Sequence, residues 1–290
     1  MTRTQATAIG YLAILMWSFL ALFTVGSAPV PPLLLNAICF AIGGAIGLAW
    51  TYHSGGLAQL RQVPAHVYLF GSVGLFGYHF LYFSALRLAP AAEAGLIAYL
   101  WPLLIVLFSG LLPGEQLRRG HFFGAGLAFV GAGLIVAQGG NLSFQSDHLA
   151  GYGLAALCAL TWSTYSVLSR RVGDAPTSSV TVFCLVSAAL SALLHSLLEQ
   201  TIWPVSILGW ASVFALGIGP VGLAFFVWDV GVKKGDIQLL GTLSYTAPLL
   251  STLILVLSGV AQPSFVLLLS AIAITAGALM AARASARNQA

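Results

Sequence analysis

Ala98-Tyr99-Leu100-Trp101-Pro102-Leu103-Leu104 returns later in the chain as Ser244-Tyr245-Thr246-Ala247-Pro248-Leu249-Leu250, 146 residues on. Trp17-Ser18 returns as Trp162-Ser163, 145 residues on. The chain is therefore written twice, and each copy holds five apolar segments. An odd number of membrane crossings per copy turns the second upside down relative to the first, the plan on which many transporters are built.

The sequence around these stretches is apolar throughout. Hydrophobic residues make up 59% of the 290 and charged residues 6%, too few to wet a soluble fold of this size. The apolar stretches run to roughly 18 to 23 residues, about what 30 Å of hydrocarbon requires at 1.5 Å rise per residue. They predict helices at 7–25, 32–51, 66–86, 91–112 and 119–138, then at 150–170, 178–198, 207–231, 236–258 and 263–282. The expected fold is an all-α polytopic membrane protein: ten transmembrane helices in two inverted five-helix repeats, 7–138 and 149–282, hinged by the polar stretch from Gly139 to His148. The loops are too short for a soluble ligand-binding or catalytic domain.

Orientation follows from the basic residues, which accumulate in cytoplasmic loops. Arg3, Arg61, Arg118, Arg119, Arg170, Arg171, Lys233, Lys234, Arg283 and Arg287 fall on the side of the termini, and Arg87 alone falls opposite. Both termini are expected in the cytoplasm. The net charge of +4 thus reports topology, and no basic stripe offers itself to a nucleic acid. Arg3 before an apolar run ending at Gly26-Ser27-Ala28 imitates a signal peptide, but its repeat partner around Trp162 marks it as a structural helix. Cys39, Cys158 and Cys184 sit inside apolar segments with no metal-binding spacing, so neither metal nor cofactor is expected. Asn141-Leu142-Ser143 fits a glycosylation sequon, a match too common to carry weight. Gly120, Gly124 and Ala128, Gly43 with Gly47, and Gly277 with Ala281 repeat at four-residue spacing and predict close helix packing in lipid.

Pro102 and Pro248 lie about ten residues into the fourth and ninth segments, near the bilayer midplane. Each removes an intrahelical hydrogen bond and frees a carbonyl. Matched breaks in two repeats mark either hinges at a substrate site or simple packing kinks. Tyr78, His79, Tyr82, Tyr99, Trp101, Trp17 and Trp162 gather at similar depth. Tyr and Trp normally prefer the membrane interfaces, so polar rings at mid-span point to a partly wet cavity; an ordinary aromatic core is the alternative. His79 is the ionisable side chain nearest mid-span and is read as a substrate contact or a proton-coupling group. Asp229, Glu93, Glu199 and His195 lie nearer helix ends, and Glu93 is read as a dipole-stabilising or a binding residue. Phosphate, dicarboxylates and multivalent cations would need a midplane charge cluster that this chain lacks. A zwitterion or neutral aromatic solute suits the site: helix amides take a carboxylate, carbonyls or Tyr hydroxyls an ammonium, and aromatic faces add selectivity.

With these residues in view, the two repeats of about 130 residues resemble paired EamA domains of the drug/metabolite transporter (DMT) superfamily. Met1-Thr2-Arg3, Tyr99-Leu100-Trp101-Pro102, Trp228-Asp229-Val230-Gly231 with Gly235, and Ser244-Tyr245 with Pro248 resemble the YddG-type aromatic amino-acid exporters. The resemblance implies an inner-membrane exporter of aromatic and other neutral amino acids that works by alternating access. Trp17, Tyr78, His79, Tyr82, Tyr99, Trp101, Trp162, Ser244 and Tyr245 would line its path, and Pro102 and Pro248 would act as hinges. Gly-Glu-x-Leu of the family stands here as Gly114-Glu115-Gln116-Leu117, while the second copy has Ala261 in place of Glu. The first-helix glutamate by which small multidrug exporters couple to protons is missing, which argues against that form of antiport. A broader exporter of flat cations or other small metabolites keeps the fold and changes the cargo. An intramembrane enzyme would need a nucleophile or metal motif such as Gly-x-Ser-x-Gly or His-Glu-x-x-His, and the sequence has neither.

Overall fold

A computed structural model describes residues 1–137, 145–172, 175–259 and 262–289; Gly139 to Phe144 of the expected hinge, with the Asn141 sequon, lie outside them. The described residues form helices and no strand. We label them α1 (Arg3–Gly26), α2 (Pro32–His53), α3 (Ala65–Leu88), α4 (Ala91–Ala98 with Trp101–Ser109), α5 (Arg119–Ala137), α6 (Leu149–Ser169), α7 (Ser179–Leu198), α8 (Ile207–Lys234), α9 (Ile237–Leu257) and α10 (Phe265–Gln289). Eight of these runs are long and apolar enough to cross a membrane. The other two are the broken α4 and α6, whose 21 residues carry the hydroxyl-rich run Thr161-Trp162-Ser163-Thr164-Tyr165-Ser166.

The helix starts follow local chemistry. Thr2 and Gln5 close a capping box on α1, the Gln5 amide donating to Thr2 Oγ1 at 3.2 Å and the Thr2 amide to Gln5 Oε1 at 2.9 Å. Pro31-Pro32, Pro64 and Pro90 open α2, α3 and α4, where a missing N–H costs nothing. Asp236 caps α9 by accepting the Leu239 amide at 2.9 Å. A residue far away in sequence caps α2: Glu199, just past α7, accepts the amides of Leu33 and Leu34 at 3.1 and 3.2 Å.

Four departures from regular helix follow one another along the chain. The α1 run is interrupted at Ser18-Phe19, α4 at Tyr99-Leu100 and α9 at Ser244-Tyr245, and α8 carries a π-turn at Gly219–Leu223. The interruptions in α4 and α9 fall just before the prolines, because Pro102 and Pro248 cannot supply the amide hydrogens that would tie them back one turn.

The four main packing pairs are α5 with α10, α2 with α7, α3 with α6, and α1 with α8, and α4 also meets α9. Swapping each helix for the one five places along leaves these pairs unchanged. Small residues set the closest approaches. Gly10 faces Gly231 between α1 and α8, Gly43 faces Gly222 between α2 and the π-turn, and Gly124 faces Gly277 between α5 and α10. A methyl group at Gly124 would stand 2.6 Å from the Gly277 carbonyl oxygen, so backbone meets backbone there. Beside it the buried His121 bonds Ser285 of α10 at 3.1 Å.

Candidate functional site

A cavity of about 130 Å³ opens where the irregular segments meet. Trp17 comes from α1, Tyr78, His79 and Tyr82 from one face of α3, Tyr99 and Trp101 from the interruption in α4, and Trp162 from α6. The helical spacing of α3 puts Tyr78 and Tyr82 one turn apart, stacked with ring centres 6.2 Å apart. Leu20, Ala98, Pro220, Val221, Phe225 and Ala247 complete the wall. His79 is the one ionisable group other than tyrosine among these lining residues, and no carboxylate or primary cation borders the space.

Among the described residues Trp162 meets more rings than Trp17 does; the contacts of Trp17 span α4, α6 and α8. Trp17 lies 5.9 Å from Trp162, 6.1 Å from Trp101, 6.2 Å from Phe225 and 5.1 Å from Trp228, in edge-on and tilted geometries that suit aromatic quadrupoles. Its indole Nε1–H donates to the Pro220 carbonyl at 3.0 Å. That carbonyl belongs to the π-turn, so an irregular turn in α8 is what gives the Trp17 ring its hydrogen bond. His79 is held by a 2.8 Å bond between Nδ1 and the Leu75 carbonyl and by edge contact with Phe40 at 5.0 Å. Nδ1 is therefore the protonated nitrogen, and Nε2 remains for a ligand.

Ser244 and Tyr245 stand elsewhere. Both are fully buried in the interruption of α9 and neither borders the cavity. Ser244 Oγ donates to Leu240 O at 2.8 Å, within its own helix. The Tyr245 hydroxyl donates to the Tyr99 carbonyl at 3.2 Å and accepts the Leu103 amide at 3.0 Å. Pro102 and Pro248 are buried behind the wall. Glu93 is buried in the first turn of α4, away from the lining. Asp229 is paired with Lys233 at 2.9 Å and accepts Thr177 Oγ1 at 2.8 Å.

Sequence reasoning did not single out Phe225 or the π-turn, and it used Trp228 only as part of the motif Trp228-Asp229-Val230-Gly231, without placing it among the rings. Phe225 and Trp228 lie three apart on α8 at the depth of Trp162, and Gly219-Pro220 inside an apolar run signals an irregular turn, so both signals were present. A charged cluster on the side of the termini was beyond the reach of sequence. Glu115 binds Arg3 at 3.0 Å and also Arg170, whose guanidinium reaches the carbonyls of Val232, at 2.8 Å, and Gly235. Arg3 lies 3.7 Å from Asp236. The cluster joins α1, the segment before α5, and the ends of α6, α8 and α9. Opposite it, Glu199 takes Arg87 at 2.8 Å and His195 at 3.0 Å.

An all-helical chain with so many membrane-length apolar helices around a buried aromatic chamber is a multi-pass membrane transporter. Comparison with known proteins gives the family: the EamA-like transporter family matches residues 6–137 and again 149–283, and the chain belongs to it. An aromatic amino acid exporter, YddG, of Ancylobacter novellus is 55% identical over 97% of this chain and 98% of its own length. The exporter of the same name in Escherichia coli is 28% identical over 99% of this chain and all of its own length. A biotin transporter of Escherichia coli is 27% identical over 64% of this chain. One solved crystal structure superposes with a TM-score of 0.92 at 52% identity, covering 97% of this chain and 98% of its own.

Proposed function

We propose that this protein exports aromatic amino acids, and other neutral ones, from the cytoplasm across the inner membrane by alternating access through the tryptophan-walled cavity. The observation that carries the reading is the cavity itself: three indoles, three phenols and one imidazole around a space with no carboxylate or primary cation. An aromatic side chain finds ring partners there, each worth roughly 0.5–1.5 kcal/mol beyond burial. The zwitterionic head finds tyrosine hydroxyls, His79 Nε2 and the backbone groups of interrupted helices. The names of the similar exporters point the same way.

In this reading ten helices cross the bilayer as repeats 7–138 and 149–282, inverted relative to each other, with both termini cytoplasmic. The twofold family match, the pairing pattern that survives a five-helix exchange, and the basic residues on the side of the termini support it. A cysteine at position 61 should then label only from the cytoplasm and one at position 87 only from outside; the reverse would invert the topology.

The function is tested in proteoliposomes by radiolabelled phenylalanine exchange, with unlabelled amino acids and a flat organic cation as competitors. Amino acids should compete and the cation should not. Tyr78→Ala, His79→Ala and Trp101→Ala should each depress exchange, and unchanged flux in all three would place the substrate path elsewhere.

A further inference from the structure

The repeat-related tyrosines Tyr99 and Tyr245 touch, and they do so unequally. Tyr99 gives its ring to the cavity. Tyr245 gives its hydroxyl to the backbone of the other repeat: it accepts the Leu103 amide at 3.0 Å and donates to the Tyr99 carbonyl at 3.2 Å. In a regular helix those two groups bond each other, residue 103 to residue 99. One phenol oxygen has been inserted into the ladder of α4, at the turn that Pro102 has already deprived of a neighbouring bond.

The interruption in α9 is satisfied differently. Ala247 N reaches Ser244 O at 3.1 Å and Thr246 Oγ1 donates to Leu243 O at 2.7 Å, all within the one helix. At the bend in α9 Thr246 Oγ1 also meets the Tyr11 hydroxyl of α1 at 3.4 Å, whereas the bend in α4 is held open by a side chain from α9, its repeat partner. Tyr245 is fully buried, so water cannot replace its hydroxyl.

We propose that Tyr245 is a positioning residue: its hydroxyl holds α4 bent and thereby sets where Tyr99 and Trp101 stand on the cavity wall, coupling the two broken helices so that they move together. That this wall binds the cargo rests on the function proposed above.

In Tyr245→Phe the freed groups of Leu103 and Tyr99 can bond directly, and α4 straightens. Swinging its nine-residue second half, about 13.5 Å long, through roughly 20° displaces its end by roughly 5 Å. Nitroxide labels at Tyr52, at the end of α2, and Leu111, just past α4, read that displacement; both are exposed, and the native cysteines are buried. The same protein in proteoliposomes should show KM for phenylalanine raised about tenfold, with the maximal rate within about threefold of the parent. Merely destabilised protein would lower the maximal rate at unchanged KM. Incorporation of 4-aminophenylalanine at 245, whose amine can donate to the Tyr99 carbonyl, should restore the parental distance and KM, and it serves as the test variant if the phenylalanine protein does not fold. An unchanged distance distribution in Tyr245→Phe overturns the proposal. A shifted distance with unchanged KM keeps the pin and overturns the cavity as the binding site.

Discussion

Gly124 and Gly126 lie two residues apart on α5, yet adding a methyl group to each should have opposite effects. At Gly124 the new Cβ would stand 2.6 Å from the Gly277 carbonyl oxygen and 3.0 Å from the Ala281 nitrogen. A carbon needs about 3.3 Å from such an oxygen, so α5 and α10 must part by roughly 0.7 Å. A gap of that size forfeits about a quarter to a half of each dispersion contact along the seam, and in lipid no hydrophobic force compensates. Gly124→Ala is expected to destabilise by about 1–3 kcal/mol, in the range for overpacked sites. At Gly126 the methyl group would meet nothing within 4 Å, and the better helix former should stabilise by up to about 1 kcal/mol. Reversible unfolding of the purified protein in mixed micelles, titrated with sodium dodecyl sulfate, measures both. Equal shifts of the midpoint, or a stabilised Gly124→Ala, would refute the close seam between α5 and α10.

Trp17→Phe keeps a ring in the cluster but leaves the Pro220 carbonyl without its 3.0 Å donor; a loss of about 1–3 kcal/mol in the same titration is expected. Glu115→Gln removes the one carboxylate shared by Arg3 and Arg170. Arg170 keeps its carbonyl partners and Arg3 is partly solvated, so the cost should stay near 1–3 kcal/mol, below that of a fully stranded buried charge, and a fall beyond 4 kcal/mol would show that the cluster carries more of the fold than its geometry allows. On the other face Arg87→Ala should cost less than about 1 kcal/mol, since Arg87 is half exposed. Glu199→Gln should cost more, because the buried Glu199 also caps α2; reversal of that order would remove Glu199 from its structural role.

Much of the fold and of the cavity could be read from residue order because they depend on periodicity. Apolar runs of membrane length place the helices, and Trp17, Tyr78, His79, Tyr82, Tyr99, Trp101 and Trp162 declare themselves as polar rings at the wrong depth for an interface. The structure brings those seven around one space. What escaped depends on which chemical group of a residue does the work. Tyr245 reads like Tyr99 in sequence, yet its ring is buried and its hydroxyl serves a backbone 146 residues away. The interruption of α1 at Ser18-Phe19 has no proline to announce it. Glu115 stands in the sequence only as part of Gly114-Glu115-Gln116-Leu117 after the fourth segment, and becomes a bridge when α1 and α6 arrive beside it. The break in the expected span at 91–112 is announced by Pro102, but its placement at Tyr99-Leu100, one turn earlier, is settled by the backbone.

All four irregular turns occur in helices that border the cavity, and α2, α5, α7 and α10, which contribute nothing to its wall, run without a break. The molecule thus separates a regular scaffold from an irregular interior. Selection for durability can act on the scaffold pairs, through substitutions such as Gly126→Ala, while selection for cargo acts on the rings that line the cavity. An engineer could harden this protein and retune what it carries in two independent campaigns, combining the winners with little interference between them.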